Sequence, residues 1–240
     1  MEGREWLEEL KKMLSGRKKD FIDPQWPDWY RDYATKCMSN RRDDDLPIQQ
    51  ATIVVIDAET TGLDLKNDTL ISLGGLKILG TTIFVNGHFE GYLPTPEKQE
   101  DKGAVAIHGI LPHSSRYTYE LEEELLVRLL AFLGTDAIIV GHHIGFDVEM
   151  INQALARQGG GPLKNRVIDT GKIAERLQPA GYWTPKDKFT LDSLASRYRI
   201  PLSDRHTALG DAYITAVLWL KLTARLREKM SRPLVLGDFV

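Results

Sequence analysis

Thr52-Ile53-Val54-Val55-Ile56-Asp57-Ala58-Glu59-Thr60-Thr61-Gly62 is the stretch whose reading decides the fold. It opens as an apolar, β-branched run, the composition of a buried strand. It closes with two carboxylates one residue apart and a Thr-Thr-Gly turn. Side chains alternate along a strand, so Asp57 and Glu59 project to the same face. Two unit charges about 5 Å apart repel by roughly 3 kcal/mol at an effective dielectric of about 20. A positive group has to offset that, and a divalent cation is the usual partner of clustered carboxylate oxygens. Asp57 and Glu59 are thus a candidate metal pair, although an acidic turn after an ordinary strand reads the same way.

Downstream, Leu70–Ile78 reads as a second strand, and Thr81–Val85 with Phe89–Leu93 as an antiparallel return around Asn86-Gly87. Tyr119–Leu133 reads as a helix, acidic at its start and closed by Gly134. Ala137–Gly141 is a short strand, and Gly145–Gln158, Asp169–Leu177, Thr190–Tyr198 and Thr207–Met230 are helices. Strands first, then strand–helix alternation, imply a mixed sheet flanked by helices in an α/β or α+β layered domain.

Upstream, Trp6, Leu7, Leu10 and Met13 recur at helical spacing, and Pro27-Asp28-Trp29-Tyr30 opens a second helix. Residues 1–50 read as a helical arm and linker, 51–230 as the main domain and 231–240 as a tail. The arm either packs on the domain or meets a partner protein or second copy through Trp6, Trp26, Trp29 and Tyr30. No candidate ligand lies in it, so its removal is expected to spare the chemistry.

With 240 residues, 42% of them hydrophobic and 27% charged, the chain can bury a full core. A single cysteine, Cys37, excludes an internal disulfide framework and a Cys-rich zinc site. Neither an apolar leader nor a membrane-length run is read, so a cytoplasmic protein without membrane contact is expected. The net charge of −3 gives no global attraction for nucleic acid, which leaves local basic groups or bound cations.

Two further points collect chemistry. Asp147 follows the strand ending at Gly141 and falls in the first turn of the next helix. A carboxylate there suits the helix dipole, and strand exits in α/β sheets also gather ligands. In Arg205-His206-Thr207-Ala208-Leu209-Gly210-Asp211, Thr207 is a candidate N-cap, with His206 just outside the helix and Asp211 within it. Ala208 and Gly210 let that helix approach another backbone closely.

In order and rough spacing, Asp57-x-Glu59-Thr-Thr-Gly, Phe146-Asp147 and His206-x-Ala-x-x-Asp211 resemble the DEDDh 3′-5′ exonucleases. That is the ribonuclease H-like branch that holds the proofreading subunit of bacterial replicative polymerase. Ile107-His108-Gly109-Ile110, Arg166–Thr170 and Thr190–Leu194 are smaller echoes, and His142-His143-Ile144 departs from the family's frequent His-Asn-Ala. The resemblance implies a ribonuclease H-like sheet and two Mg²⁺ or Mn²⁺ ions held by Asp57, Glu59, Asp147 and Asp211. It makes His206 the general base, a role that suits an imidazole with an ordinary pKa of about 6.5. It places Thr60, Thr61 and Gly62 against the terminal nucleotide, Leu63 against its base and His108 near its sugar or phosphate. The implied activity is release of nucleoside 5′-monophosphates from single-stranded 3′ ends of DNA. RNA trimming within the same family, or a non-catalytic nucleic-acid or partner-binding domain on the same fold, are the alternatives.

Overall fold

The computed structural model describes residues 22–40, 43–95, 114–179 and 186–239. The helix expected over residues 6–14, and His108 with its neighbours 107–110, lie outside them. Five strands, β1 (Thr52–Thr60), β2 (Leu70–Leu79), β3 (Thr82–Tyr92), β4 (Ile138–Gly141) and β5 (Arg166–Asp169), form one mixed sheet in the order β3-β2-β1-β4-β5. β1 pairs antiparallel with β2 and parallel with β4, and β5 continues the parallel side. The α-helices are α1 (Asp28–Ser39), α2 (Glu122–Leu133), α3 (Gly145–Arg157), α4 (Thr170–Arg176), α5 (Leu191–Tyr198) and α6 (Ala208–Met230). Among the described residues no helix is long and apolar enough to cross a membrane.

The period-two alternation of β1 sorts the core into two layers. Val54 and Ile56 face α1, α2 and α3, whereas Ile53 and Val55 face α4, α5 and α6. Asp57 and Glu59 continue the second row, so both carboxylates leave the sheet on the α6 side. Val55 pairs with Val140, which makes β1 and β4 end side by side and brings the loop before α3 to the same edge as Asp57.

Three expectations change. Asn86-Gly87 is not a hairpin turn: β3 runs unbroken from Thr82 to Tyr92, and the chain reverses at Gly80, whose φ is 61°. Opposite β2 the register jumps from Lys77↔Phe84 to Gly75↔Phe89, so Val85–His88 form a bulge, closed by His88 Nδ1 at 3.0 Å from the Val85 carbonyl. β5 was read only as a motif and the start of a helix, since four residues carry too little pattern for a strand. Of the tail read over 231–240, the described part, 231–239, packs against the domain. Leu234 and Leu236 are buried, Val235 bridges Pro47, and Arg232 forks onto Asp238 at 2.6 and 2.9 Å.

The arm's second helix, α1, is core. Tyr30 is fully buried and Tyr33 nearly so. The Tyr30 hydroxyl donates to the Pro162 carbonyl at 2.6 Å, and Trp26 and Trp29 meet its ring edge-on at 4.9 and 6.0 Å. Tyr33 donates to Asn165 Oδ1 at 2.6 Å, and Asn165 in turn donates to the carbonyls of Gly134 and Ala137 ahead of β4. Tyr30 therefore has no face to offer a partner. Tyr30→Ala is expected to destabilise the fold by about 3–5 kcal/mol, the usual range for an emptied aromatic site, and deletion of residues 1–45 by more. Thermal melts of the purified variants check this; an unchanged Tm would contradict it.

Candidate active site

The acidic face of β1 works only if α6 comes close, and one glycine lets it. Gly74 on β2 pairs with Asp57. A Cβ on Gly74 would lie 2.3 Å from the Ala208 carbonyl carbon and the Leu209 amide nitrogen, inside any allowed contact. The first turn of α6 thus rests on the bare backbone of β2. That brings Asp211 to Asp57 and Glu59, with one carboxylate oxygen from each lying within 4.8 Å of the others.

Local chemistry fixes the start of α6. Thr207 is its N-cap, and its hydroxyl oxygen accepts from the Gly210 amide at 3.1 Å while donating to the Asp204 carbonyl at 2.7 Å. His206, immediately before the cap, has φ 67° and is half-buried. Arg205 reaches back over the turn. Its Nη1 donates to Asp211 Oδ2, its Nε donates to Asp192 Oδ1 at 2.6 Å, and Nη1 lies 3.3 Å from His206 Nδ1.

Asp147 arrives from the other side of β1. The loop leading into α3 is tied to the β5–α4 junction: the His143 amide donates to Asp169 Oδ1 at 3.1 Å, and His142 Nδ1 sits 2.9 Å from Thr170 Oγ1. Thr170 gives its own proton to the Gly141 carbonyl at 3.0 Å, so it accepts from His142, which fixes the proton on Nδ1. Burial holds that imidazole neutral, with its pKa down at about 4. Asp147 lies outside the 4.8 Å group, yet its charge is the largest ionic influence on Asp57.

Burial, then mutual repulsion, drives the acids upward. Asp57 is raised well above the carboxylate range by desolvation and then by Asp147, Asp211 and Glu59. Glu59 is pushed up to about 8 by burial and then by Asp211. Asp147 rises through burial and then Asp169. Asp211 rises through burial, against the opposing pull of Arg205. Such a set fits divalent cations. The donors are all carboxylate oxygens, and Asp211 Oδ1 is buried with no hydrogen-bond partner among the described residues.

The turn after Glu59 is braced from within. Thr61 donates to Asp68 Oδ1 at 2.7 Å, and Thr60 to the Gly62 carbonyl at 2.7 Å. A Cβ on Gly62 would meet Asp68 Oδ2 at 2.6 Å, so the brace needs glycine there. Leu63, next in the turn, is 85% exposed. The structure thus gathers Asp57, Glu59 and Asp211, sets Asp147 and His206 beside them, and leaves Thr60–Leu63 as an adjoining rigid turn. Four contributors escaped the sequence reading. Gly74 was legible as a glycine inside a strand, a mark of close backbone approach. Arg205 stood in the sequence only as the residue ahead of the His206 motif, with no role of its own. Asp192 and Asp169 had no signal beyond sitting in short echoes of the family pattern.

Comparison with known proteins agrees. Residues 54–218 match the exonuclease family RNase_T. The chain belongs to that family, with the ribonuclease H-like fold. It is 30% identical over 184 residues to the DNA polymerase III PolC-type proteins of Staphylococcus haemolyticus and Staphylococcus aureus. The match covers 77% of this chain but only 12% of those much longer proteins. Among solved structures, E. coli Exonuclease I in complex with a dT13 oligonucleotide aligns with a TM-score of 0.65 at 22% identity, over 76% of this chain and 43% of that one. The same enzyme in its ExoI/SSB-Ct complex aligns with a TM-score of 0.59 at 23% identity, over 79% and 43%.

Two outcomes follow from this geometry. Gly74→Ala should push α6 away from β2 and lower exonuclease activity at least about tenfold, at a stability cost of about 1–3 kcal/mol; assay and melt on one preparation check it, and full activity would contradict the close approach. The second concerns pH. Without divalent ions the folded site keeps protons that the unfolded chain has released between about pH 4.5 and 8, so stability must fall as pH rises through that window. His142, held neutral by burial down to about pH 4, opposes the fall up to its ordinary pKa of about 6.5 but is outnumbered by the raised acids, while Asp192 and Asp238, held low by Arg205 and Arg232, act in the opposite sense only below their ordinary range. Tm in chelator should therefore drop from about pH 5 to about pH 8, and Glu59→Gln should flatten the drop. A flat or rising wild-type curve would refute the repulsion.

Proposed function

We propose that this chain is a metal-dependent exonuclease that removes nucleoside 5′-monophosphates from single-stranded 3′ ends of DNA. The observation that carries the reading is the convergence of Asp57, Glu59 and Asp211, with one buried Asp211 oxygen left without a partner among the described residues and His206 in the turn that leads into the same helix. Asp57, Glu59, Asp147 and Asp211 would hold two divalent ions, Mg²⁺ or Mn²⁺. Such ions, when bound, supply positive charge for the attacking and departing oxygens of phosphodiester hydrolysis.

The chain's own groups do the rest. His206 accepts the proton of the attacking water, the general-base role that imidazoles commonly fill. The braced Thr60–Gly62 backbone holds the terminal nucleotide, and exposed Leu63 packs against its base. A cavity of about 880 Å³ opens between Thr207, Leu209 and Gly210 at the start of α6 and Tyr92 and Tyr117 near β3, room for the nucleotides that follow. DNA is favoured over RNA because the PolC-type relatives are DNA polymerases and Exonuclease I was captured on dT13. The same relatives motivate a polymerase as partner. The complete carboxylate-and-histidine set argues against a purely binding role on this fold.

The test is hydrolysis of labelled single-stranded DNA and RNA with and without Mg²⁺. Asp57→Ala and Asp211→Asn should abolish turnover while the metal-free Tm stays level or rises. His206→Ala should lower kcat by about 10²–10⁴-fold and shift KM much less, because the proton transfer belongs to the transition state. Full turnover by Asp57→Ala would defeat the metal assignment, and a normal kcat in His206→Ala would remove the base. Faster cleavage of RNA than of DNA would assign the chain to RNA trimming.

A further inference from the structure

Arg205 is a cation placed inside an acidic cluster, and it touches two groups the reaction needs. Its Nη1 donates to Asp211 Oδ2 and lies 3.3 Å from His206 Nδ1. A guanidinium has donors only, so in this contact His206 Nδ1 is the accepting atom. The same guanidinium is tethered from α5, where Nε donates to Asp192 Oδ1 at 2.6 Å. Asp211 is 5% exposed; Oδ2 is taken by Arg205, while Oδ1 is buried and without a partner among the described residues.

We propose that Arg205 is a positioning residue that stands in the carboxylate cluster in place of a divalent cation, so that cation loading and the Arg205–Asp211 contact exclude one another. The inference rests on the metal-site reading above. A metal-free cluster of two half-buried carboxylates and one buried one is held together against its own repulsion, and one guanidinium at contact distance offsets part of it. Arg205 opposes the upward shift of Asp57, Glu59 and Asp211 alike. A doubly charged ion at the same oxygens does this better and repels the guanidinium. Asp192, itself half exposed, then keeps Arg205 as its own partner. Departure of Arg205 also frees His206 Nδ1, so one event readies both the carboxylate and the base. The site is thereby quiet without its ion and armed with it, by a competition written into adjacent residues 205, 206 and 211.

Competition has a thermodynamic signature that a plain clamp lacks, because coupling between two occupants is reciprocal. Full-length wild type, Arg205→Gln, Arg205→Lys and Asp57→Ala are titrated with Mn²⁺ by calorimetry after chelator treatment, and melted in chelator and in saturating Mn²⁺. Arg205→Gln should bind Mn²⁺ at least about tenfold more tightly, within the usual range of coupling between sites. It should melt lower than wild type in chelator, and the gap should close in Mn²⁺. Arg205→Lys, which keeps the charge without the fork, should tighten binding by a smaller factor and carries the test if the glutamine variant does not fold. Unchanged or weaker Mn²⁺ binding in the Arg205 variants, or the same melting deficit with and without Mn²⁺, would show a mere strap between α5 and α6 and overturn the proposal. Wild type binding no better than Asp57→Ala would instead bring down the metal site itself, and the proposal with it.

Discussion

How near α6 can come to β2 is set by the missing side chain at Gly74, and the whole site depends on that distance. β1 delivers Asp57 and Glu59 to one face by simple alternation, and α6 delivers Asp211 to the same face only because its first turn rests on bare backbone. The parallel pairing of β1 with β4 then sets the α3 entry, and Asp147 with it, at the edge where β1 ends. Long-range placement of four acids thus reduces to one strand register, one parallel pair and one close contact.

That placement sets function against stability. The half-buried carboxylates of Asp57, Glu59 and Asp147 are forced up by desolvation and by neighbouring carboxylates. Strain of this kind persists only where the surroundings over-determine it. Here the surroundings are two apolar layers, one built on α6 and the other on Tyr30, Leu125, Leu129 and Met150. The arm helix α1 belongs to the second layer and fixes Asn165 beneath β4. What looked like an appendage helps hold the sheet that presents the acids.

Much of this was legible in the chain. The alternation in Thr52–Thr60 gave both the strand and the shared face of its acids, and the Thr207 cap and the closing of α6 near Met230 read off directly. Joint occurrence of three acidic motifs in order gave the family. What failed did so for local reasons. Asn86-Gly87 is a strong turn signal, but the reversal had already been made at Gly80, so the pair was absorbed as a bulge. β5 was too short for periodicity to register. Trp26, Trp29 and Tyr30 read as aromatics that pack on the domain or meet a partner, and for Tyr30 its full burial and its hydrogen bond to Pro162 decide it. Arg205 was invisible as a site residue because its meaning lies in contacts with α5 and α6 together.

Everything at this site turns on a divalent cation being held by the β1 acids and Asp211. Anomalous scattering from crystals soaked in Mn²⁺ measures that directly. Mn²⁺ should be found bound among Asp57, Glu59 and Asp211, with Arg205 drawn off Asp211 toward Asp192. Crystals that take up no Mn²⁺ there, with Arg205 still on Asp211, would contradict it.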